Sequence, residues 1–446
     1  MNLKLRNRFN FNKHFKEIIR GSILAFSAKV LATGFGLISS LIIARYYGPD
    51  VVGIVAIINS ILLIFGIVGL MGHNTSILRL IPEYTEKHSE TAAYIIYNKT
   101  RLIVFMISIC AGIVLFISSS FIAEYIFHKD YLQEYFLIAA PFIVISTLNI
   151  LNTDTLRAIQ KIDLFALMQL IPSIITLILL IVTTVVFYNR DNPVYIIFAT
   201  SLITALILFY IIRSTFKGRV SKNHSTVPQI KKAEIFSLSF PMFLTAVMHL
   251  VISQTDIIML GIMRNETDVG IYAITLKMAL LTSFILNAIN SMAAPKFSQL
   301  YHSNNLEDLK EVAQKSSKLI FWMTLPLILV YIFAGHYVLS IFGESFSRGY
   351  YALIFLSIGQ FINAAAGSVG YFLDMTGDQK IFQNIVIFAA ALNIILNFLL
   401  IPSHGIEGAA FASMTSMIFW NILASVYIKR KHGFYISYIP SLRGRK

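Results

Sequence analysis

Apolar residues in this chain come in long runs, and short polar breaks separate them. Twelve runs can be marked, at approximately 22–44, 51–72, 94–118, 133–155, 164–187, 193–213, 236–261, 269–293, 317–341, 350–373, 380–401 and 407–428. Each approaches the roughly 20 residues that a helix needs to cross a bilayer. The breaks carry turn formers, as at Gly48-Pro49-Asp50, Asn189 to Pro193, Arg264 to Asp268 and Pro402 to Gly405. Hydrocarbon offers no partners to backbone N–H and C=O groups, so runs of this length predict α-helices. A membrane barrel would need alternating segments about half as long, and the pattern contains none.

One hexapeptide occurs twice. Val52-Gly53-Ile54-Val55-Ala56-Ile57 returns as Val269-Gly270-Ile271-Tyr272-Ala273-Ile274, 217 residues later and with one mismatch. Both copies follow an apolar run and a break, and both open a new apolar run. The pattern predicts an internal duplication of two six-helix halves. The fold expected is therefore an all-α polytopic membrane protein, with twelve transmembrane helices in two pseudo-symmetric lobes. Its parts are a basic segment at 1–21, a first lobe at 22–213, a linker at 214–235, a second lobe at 236–428 and a basic tail at 429–446.

Composition agrees with this class. The chain is 57% hydrophobic and only 13% charged, too little charge to cover a soluble protein of 446 residues. Its net charge of +14 would suit a nucleic-acid ligand, but the placement of the cations argues otherwise. With the N-terminus inside, 29 of 36 Lys and Arg fall in inner segments, and five fall in outer loops (Arg45, Lys129, Arg190, Arg264 and Arg348). That is a positive-inside pattern, with both termini cytoplasmic in a multi-pass cell-membrane protein. Residues 1–20 mix six cations with Phe9, Phe11, Phe15, Ile18 and Ile19, as a helix lying on an anionic membrane face would. The first apolar run is too long for a signal-peptide core and is expected to be retained. Cys110 is the single cysteine, so neither an internal disulfide nor a thiolate metal cluster is expected. The glycines show no phosphate-loop spacing, and no His, Asp or Glu group has metal-ligand or acid–base spacing. The sequence thus predicts a non-enzymatic protein that needs no cofactor.

The two six-helix halves, the Val-Gly-Ile opening of the second helix of each, and Gln254-Thr255-Asp256 near the outer end of the seventh run resemble the O-antigen-type polysaccharide flippases. These belong to the multidrug/oligosaccharidyl-lipid/polysaccharide exporter superfamily. The resemblance extends to about residue 430. It implies transfer of an isoprenoid-pyrophosphate-linked oligosaccharide from the cytoplasmic to the outer leaflet, by alternating access between two lobes. Its partners would be that lipid-linked oligosaccharide and the bilayer, with room for glycosyltransferases and a polymerase of the same pathway.

Ionisable residues inside spans are costly and mark candidate sites. Lys29 lies about seven residues into the first run, on a face shared with Thr33, Gly36 and Ser40. Such a face can line a cavity where a cation meets a lipid phosphate, or can pack against a helix of small residues. His249 and Asp256 stand seven apart on one face of the seventh run, the repeat partner of the first. Asp256 could bind a coupling proton or cation, or pair with Lys277 of the eighth run at a similar depth. The substrate-binding candidates are thus Lys29, Thr33, Ser40 and Lys277, and the coupling or ion-pair candidates are Asp256 and His249. Asn287, Asn290, Asn363, Asn393 and Asn397 are expected to tie helices together. A cation-coupled drug or metabolite exporter is the first alternative, but Lys29 and Lys277 favour anionic cargo. A membrane polymerase or ligase is the second, and the loops are too short for its catalytic groups.

The topology is open to a direct measurement. Single cysteines at Asn7, Ser225 and Ser441, in a Cys110→Ala background, should resist membrane-impermeant thiol reagents in intact cells. Labelling of any one of them refutes the twelve-span topology.

Overall fold

A computed structural model describes residues 3–217 and 232–438. Most of the expected linker and the end of the expected tail lie outside them. Among the described residues the chain is helical, with no strand. The helices are α1 (Leu3–Ile42), α2 (Gly48–Leu70), α3 (His73–Lys87), α4 (Glu90–Phe121), α5 (Leu132–Ala158), α6 (Ile162–Val186) and α7 (Asn192–Phe216). They continue as α8 (Lys232–Met263), α9 (Glu266–Leu280), α10 (Thr282–His302), α11 (Leu306–Ser340), α12 (Tyr350–Ala366), α13 (Val369–Met375) and α14 (Gln379–His432). Helix starts use the expected chemistry: Ser89, Asn265 and Asn305 each accept a backbone N–H of the first turn. Pro141, Pro172, Pro241 and Pro326 lie inside α5, α6, α8 and α11, which run on through them.

Nine of the described segments are long and apolar enough to cross a membrane, or ten if the bent pair α9–α10 counts as one. This is a multi-pass membrane protein. Side chains such as Ile117, Val185 and Phe333 are 76–80% exposed, as lipid-facing residues are. Two segments are far longer than one crossing requires. Ile23–Leu70 has 48 residues and Gln379–His432 has 54, against about 20 for a bilayer. A glycine in the left-handed region stands in each, Gly48 at φ +88° and Gly405 at φ +54°. At Gly405 the helical bonding breaks and carbonyls are freed. Arg264, expected as an outer-loop cation, supplies the donors: its guanidinium reaches Ile401 O at 2.9 Å and Pro402 O at 2.9 Å.

The chain folds into two compact units. One comprises Met1–Tyr46 and Ile58–Val247, the other Tyr47–Ile57 and Met248–Lys446. The changeovers fall inside α2 and inside α8. In the first unit, Leu70, Ile81, Tyr97, Leu151, Phe165 and Leu208 form a buried cluster. Tyr97 donates to Asn152 Oδ1 at 2.8 Å, linking α4 to α5, and Asn149 donates to the Ser201 carbonyl at 2.8 Å, linking α5 to α7. In the second unit, Phe297, Leu309, Val369, Phe372 and Leu373 centre the core. Asparagines tie its helices as expected: Asn290 accepts from Ser368, and Asn421 donates to Asn363 at 3.2 Å. Asn287 is exposed.

The repeated hexapeptide meets its own copy in the second unit. A methyl group on Gly53 would overlap the Glu266 carbonyl oxygen, and one on Gly270 would overlap that of Pro49. Each carbonyl lies four residues before the partner glycine, and Pro49 and Glu266 are themselves 217 apart. The contact is reciprocal, and neither position has room for a Cβ.

This contact yields a stability test. Gly53→Ala and Gly270→Ala should each lower stability by about 1–3 kcal/mol or more, because the opposing atoms are backbone. Gly66, in the same helix as Gly53, has nothing within 4 Å of an added Cβ. Gly66→Ala should therefore be neutral or stabilising. Thermal unfolding followed by size-exclusion chromatography in detergent would reveal the difference; equal effects at all three sites refute the close crossing.

Candidate functional site

Asp256 is the most enclosed acid of the second unit, 5% exposed in the last third of α8. Three other segments converge on it. Tyr272, in the second turn of α9, donates its hydroxyl to Oδ2. Asn393 and Asn397 share one face of α14 and donate to Oδ1 at 3.3 and 2.7 Å. Ser413, beyond the break at Gly405, donates to Oδ2. The donors also bond one another: Asn397 reaches Asn393 Oδ1 at 3.1 Å, and Asn393 reaches Ser413 Oγ at 3.3 Å. Asn397 Oδ1 is buried without a hydrogen-bond partner among the described residues.

Four neutral donors match the lone-pair capacity of a carboxylate. They solvate its charge but do not cancel it. A proton or a small cation taken up by this carboxylate would have to displace one of these donors from its oxygens.

The anticipated pairing of Asp256 with Lys277 is not formed. All four hydrogen-bond partners of Asp256 are neutral, and Lys277 is exposed on α9. The reason is angular: Lys277 follows Tyr272 by five residues and so points about 140° away around the helix. His249 is not a partner of Asp256 either. It is exposed, roughly 10 Å from Asp256 along α8, and faces Asp374 of α13. Burial pushes the Asp374 carboxyl up, and His249 pulls it down.

In the first unit, Lys29 and Thr33 of α1 line a recess of about 300 Å³ together with Gln169 and Ser173 of α6. Lys29 is exposed, and Thr33 Oγ1 donates to its carbonyl at 2.9 Å. Ser40 does not line this recess: it is buried and donates to the Gly36 carbonyl at 2.8 Å. Gln169 also lines a second cavity of about 530 Å³, with Asn59, Asn149, Asp154 and Arg157. Asp154 accepts from Asn74 Nδ2 at 3.3 Å, and Arg157 lies 5.7 Å from the Phe165 ring centre. Asp154 was not among the sequence candidates because it sits at the end of its apolar run, where charges are ordinary. Tyr272 is marked in the sequence itself. It is the one mismatch in the repeated hexapeptide, opposite Val55.

The polysaccharide biosynthesis protein family matches residues 42–350. A putative O-antigen transporter of Shigella flexneri is 25% identical over 406 residues, covering 89% of this chain and 94% of its own. Two proteins of Haloferax volcanii match shorter stretches. A probable low-salt glycan biosynthesis flippase is 25% identical, covering 40% of this chain and 38% of its own. The probable flippase AglR is 28% identical, covering 46% and 44%. The chain thus spans less than half the length of these two relatives. Among solved structures, an inward-facing multidrug resistance MATE family transporter of the MOP superfamily superposes with TM-score 0.75 at 13% identity, over 92% of this chain and 98% of its own. The lipid II flippase MurJ, in an inward closed conformation, gives 0.73 at 17% identity, over 92% and 87%. These likenesses establish a MOP-type transporter fold.

The Asp256 cluster can be probed without any transport assay. Tyr272→Phe should lower stability by roughly 0.5–1.5 kcal/mol by removing one donor. Asp256→Ala should cost more, because it strands four buried donors at once. Chemical unfolding in mixed micelles measures both; an Asp256→Ala protein as stable as the parent refutes the network.

Proposed function

This chain belongs to the polysaccharide biosynthesis protein family, and on that premise we propose that it moves an isoprenoid-pyrophosphate-linked oligosaccharide from the cytoplasmic to the outer leaflet. The segments of 48 and 54 residues each make two crossings, divided at Gly48 and Gly405, and α9–α10 makes one. Twelve spans result, in two six-helix halves, with both termini cytoplasmic. The protein resides in the cell membrane and works beside the enzymes that build and polymerise its cargo. The relatives named as flippases and as an O-antigen transporter support this reading.

The observation that carries the mechanism is a cation on a recess in the first unit and an acid caged by neutral donors in the second. The pyrophosphate of the cargo concentrates negative charge that hydrocarbon will not accept without a partner. Lys29 supplies that partner. Its recess adds the Gln169 amide, which can donate to phosphate or sugar oxygens, and the Thr33 hydroxyl oxygen, which can accept from a sugar hydroxyl. Lys277 offers a second cation to the anionic cargo. Asp256 serves as the coupling site. Taking up or releasing a cation there changes the charge that Tyr272, Asn393, Asn397 and Ser413 must solvate, and so biases α8, α9 and α14 between two arrangements. Access to the cargo site then alternates between the leaflets.

One complementation experiment tests both roles. A strain lacking the protein should accumulate lipid-linked oligosaccharide, and the intact protein should clear it. Lys29→Ala should fail to clear it at normal membrane levels, while Lys29→Arg keeps part of the activity because the charge survives. Asp256→Asn should keep its fold and lose the dependence of transport on the ion gradient. Full clearance by a stably expressed Lys29→Ala protein refutes the cargo site, and unchanged gradient dependence in Asp256→Asn refutes the coupling site.

A further inference from the structure

Neither the cargo site nor the coupling site uses the cavity between α4, α5 and α7, which measures about 970 Å³. It lies wholly in the first unit and is graded along its length. At the end where α4 begins and α7 finishes, its lining is Tyr94, Tyr97, Asn98, Arg101, Arg213 and Lys217. Further along, Leu102, Phe105, Ile145, Leu148, Leu206 and Phe209 line it. Tyr94 to Phe105 spans about 16 Å of helix, and Lys217 back to Leu206 a similar length. The cavity therefore has a cationic end and an apolar trough, the two parts of an amphiphile.

The cationic end is built for an anion. Arg213 lies in the last turn of α7, and Lys217 is the residue that caps its end. Arg101 stands 5.5 Å from the Tyr97 ring centre, and that ring stacks on Phe216. The stack places the guanidinium beside the cavity. No carboxylate pairs with any of the three cations among the described residues. Asn98, one turn from Arg101 and from Tyr94, turns a buried Oδ1 that has no hydrogen-bond partner among the described residues. The trough is open to the membrane, since Leu102, Phe105, Leu206 and Phe209 are exposed.

We propose that this groove holds a resident anionic phospholipid. Its phosphate lies among Arg101, Arg213 and Lys217, and one acyl chain fills the trough. Positive-inside placement assigns the cationic end to the cytoplasmic leaflet, where anionic lipids attract clustered basic residues. A groove adds to that attraction what a flat basic surface lacks, a wall for the chain.

The test uses the full chain purified from membranes that contain phosphatidylglycerol and phosphatidylcholine, with the bound lipid counted by mass spectrometry. The parent protein should retain phosphatidylglycerol well above its share of the bilayer. Arg101→Gln/Arg213→Gln/Lys217→Gln should retain at least about tenfold less. Lys296→Gln/Lys310→Gln/Lys380→Gln removes the same net charge outside the groove and should retain the parent amount. Ala205→Trp leaves every cation in place and blocks the trough, and it too should lose the lipid. Equal retention by the groove and control triples reduces the cations to general surface attraction and overturns the proposal. So does parent-like retention by Ala205→Trp, or equal retention of phosphatidylcholine. Should the groove triple fail to fold, Ala205→Trp against the control triple still decides.

Discussion

The contact between Gly53 and Gly270 sets the geometry on which the acid site of the second unit depends. Two helix starts approach until the backbone of one touches the Cα of the other. Such an approach allows Cα–H to carbonyl contacts, and it excludes every residue but glycine. It also sets the rotation of α9 about its axis. Tyr272 lies two residues past Gly270 and so points about 200° away from the crossing. That direction carries its hydroxyl to Asp256. The glycine crossing and the acid site are thus two faces of one helix, and a change in the first would misaim the second.

The hexapeptide repeats along the chain, but the site beside its second copy does not. At the 217-residue offset, Asp256 corresponds to Ser39, and Tyr272 corresponds to Val55. Ser39 is buried, and its hydroxyl has no hydrogen-bond partner among the described residues. The first half keeps the glycine and the apolar frame but holds no acid at that place. Its polar residues gather elsewhere, at Lys29 and Gln169 and around Asp154 and Arg157.

The sequence made the class of this protein plain, because long apolar runs in lipid have one structural solution. It also singled out Asp256, since an acid inside such a run needs an explanation. It could not supply the partners of Asp256. Depth along a helix is countable from sequence, and on depth alone Lys277 qualified. Which way a side chain points depends on how neighbouring helices are rotated, and there Lys277 loses to Tyr272. Asn393 and Asn397 were legible as glue between helices, but only the turn of α14 at Gly405 brings Ser413 back beside them. Asp154 was hidden by its place at the end of a run. Arg264 lies in the loop between α8 and α9, as expected, and there it also caps carbonyls that a bend in another helix exposes.

The division of the chain inside α2 and α8 bears on how such a protein could be inherited in pieces. Residues 47–57 come from the first half of the gene but belong to the second unit, and the opening of α8 belongs to the first. Each half thus lends a segment to the other. A gene split within the stretch joining α7 to α8 would encode two fragments, neither holding all the parts of one unit. The second fragment would lack the partner for Gly270. Fission into two separately encoded subunits would therefore work only if both were made together and inserted side by side. Fusion of the halves into one chain ensures that they are.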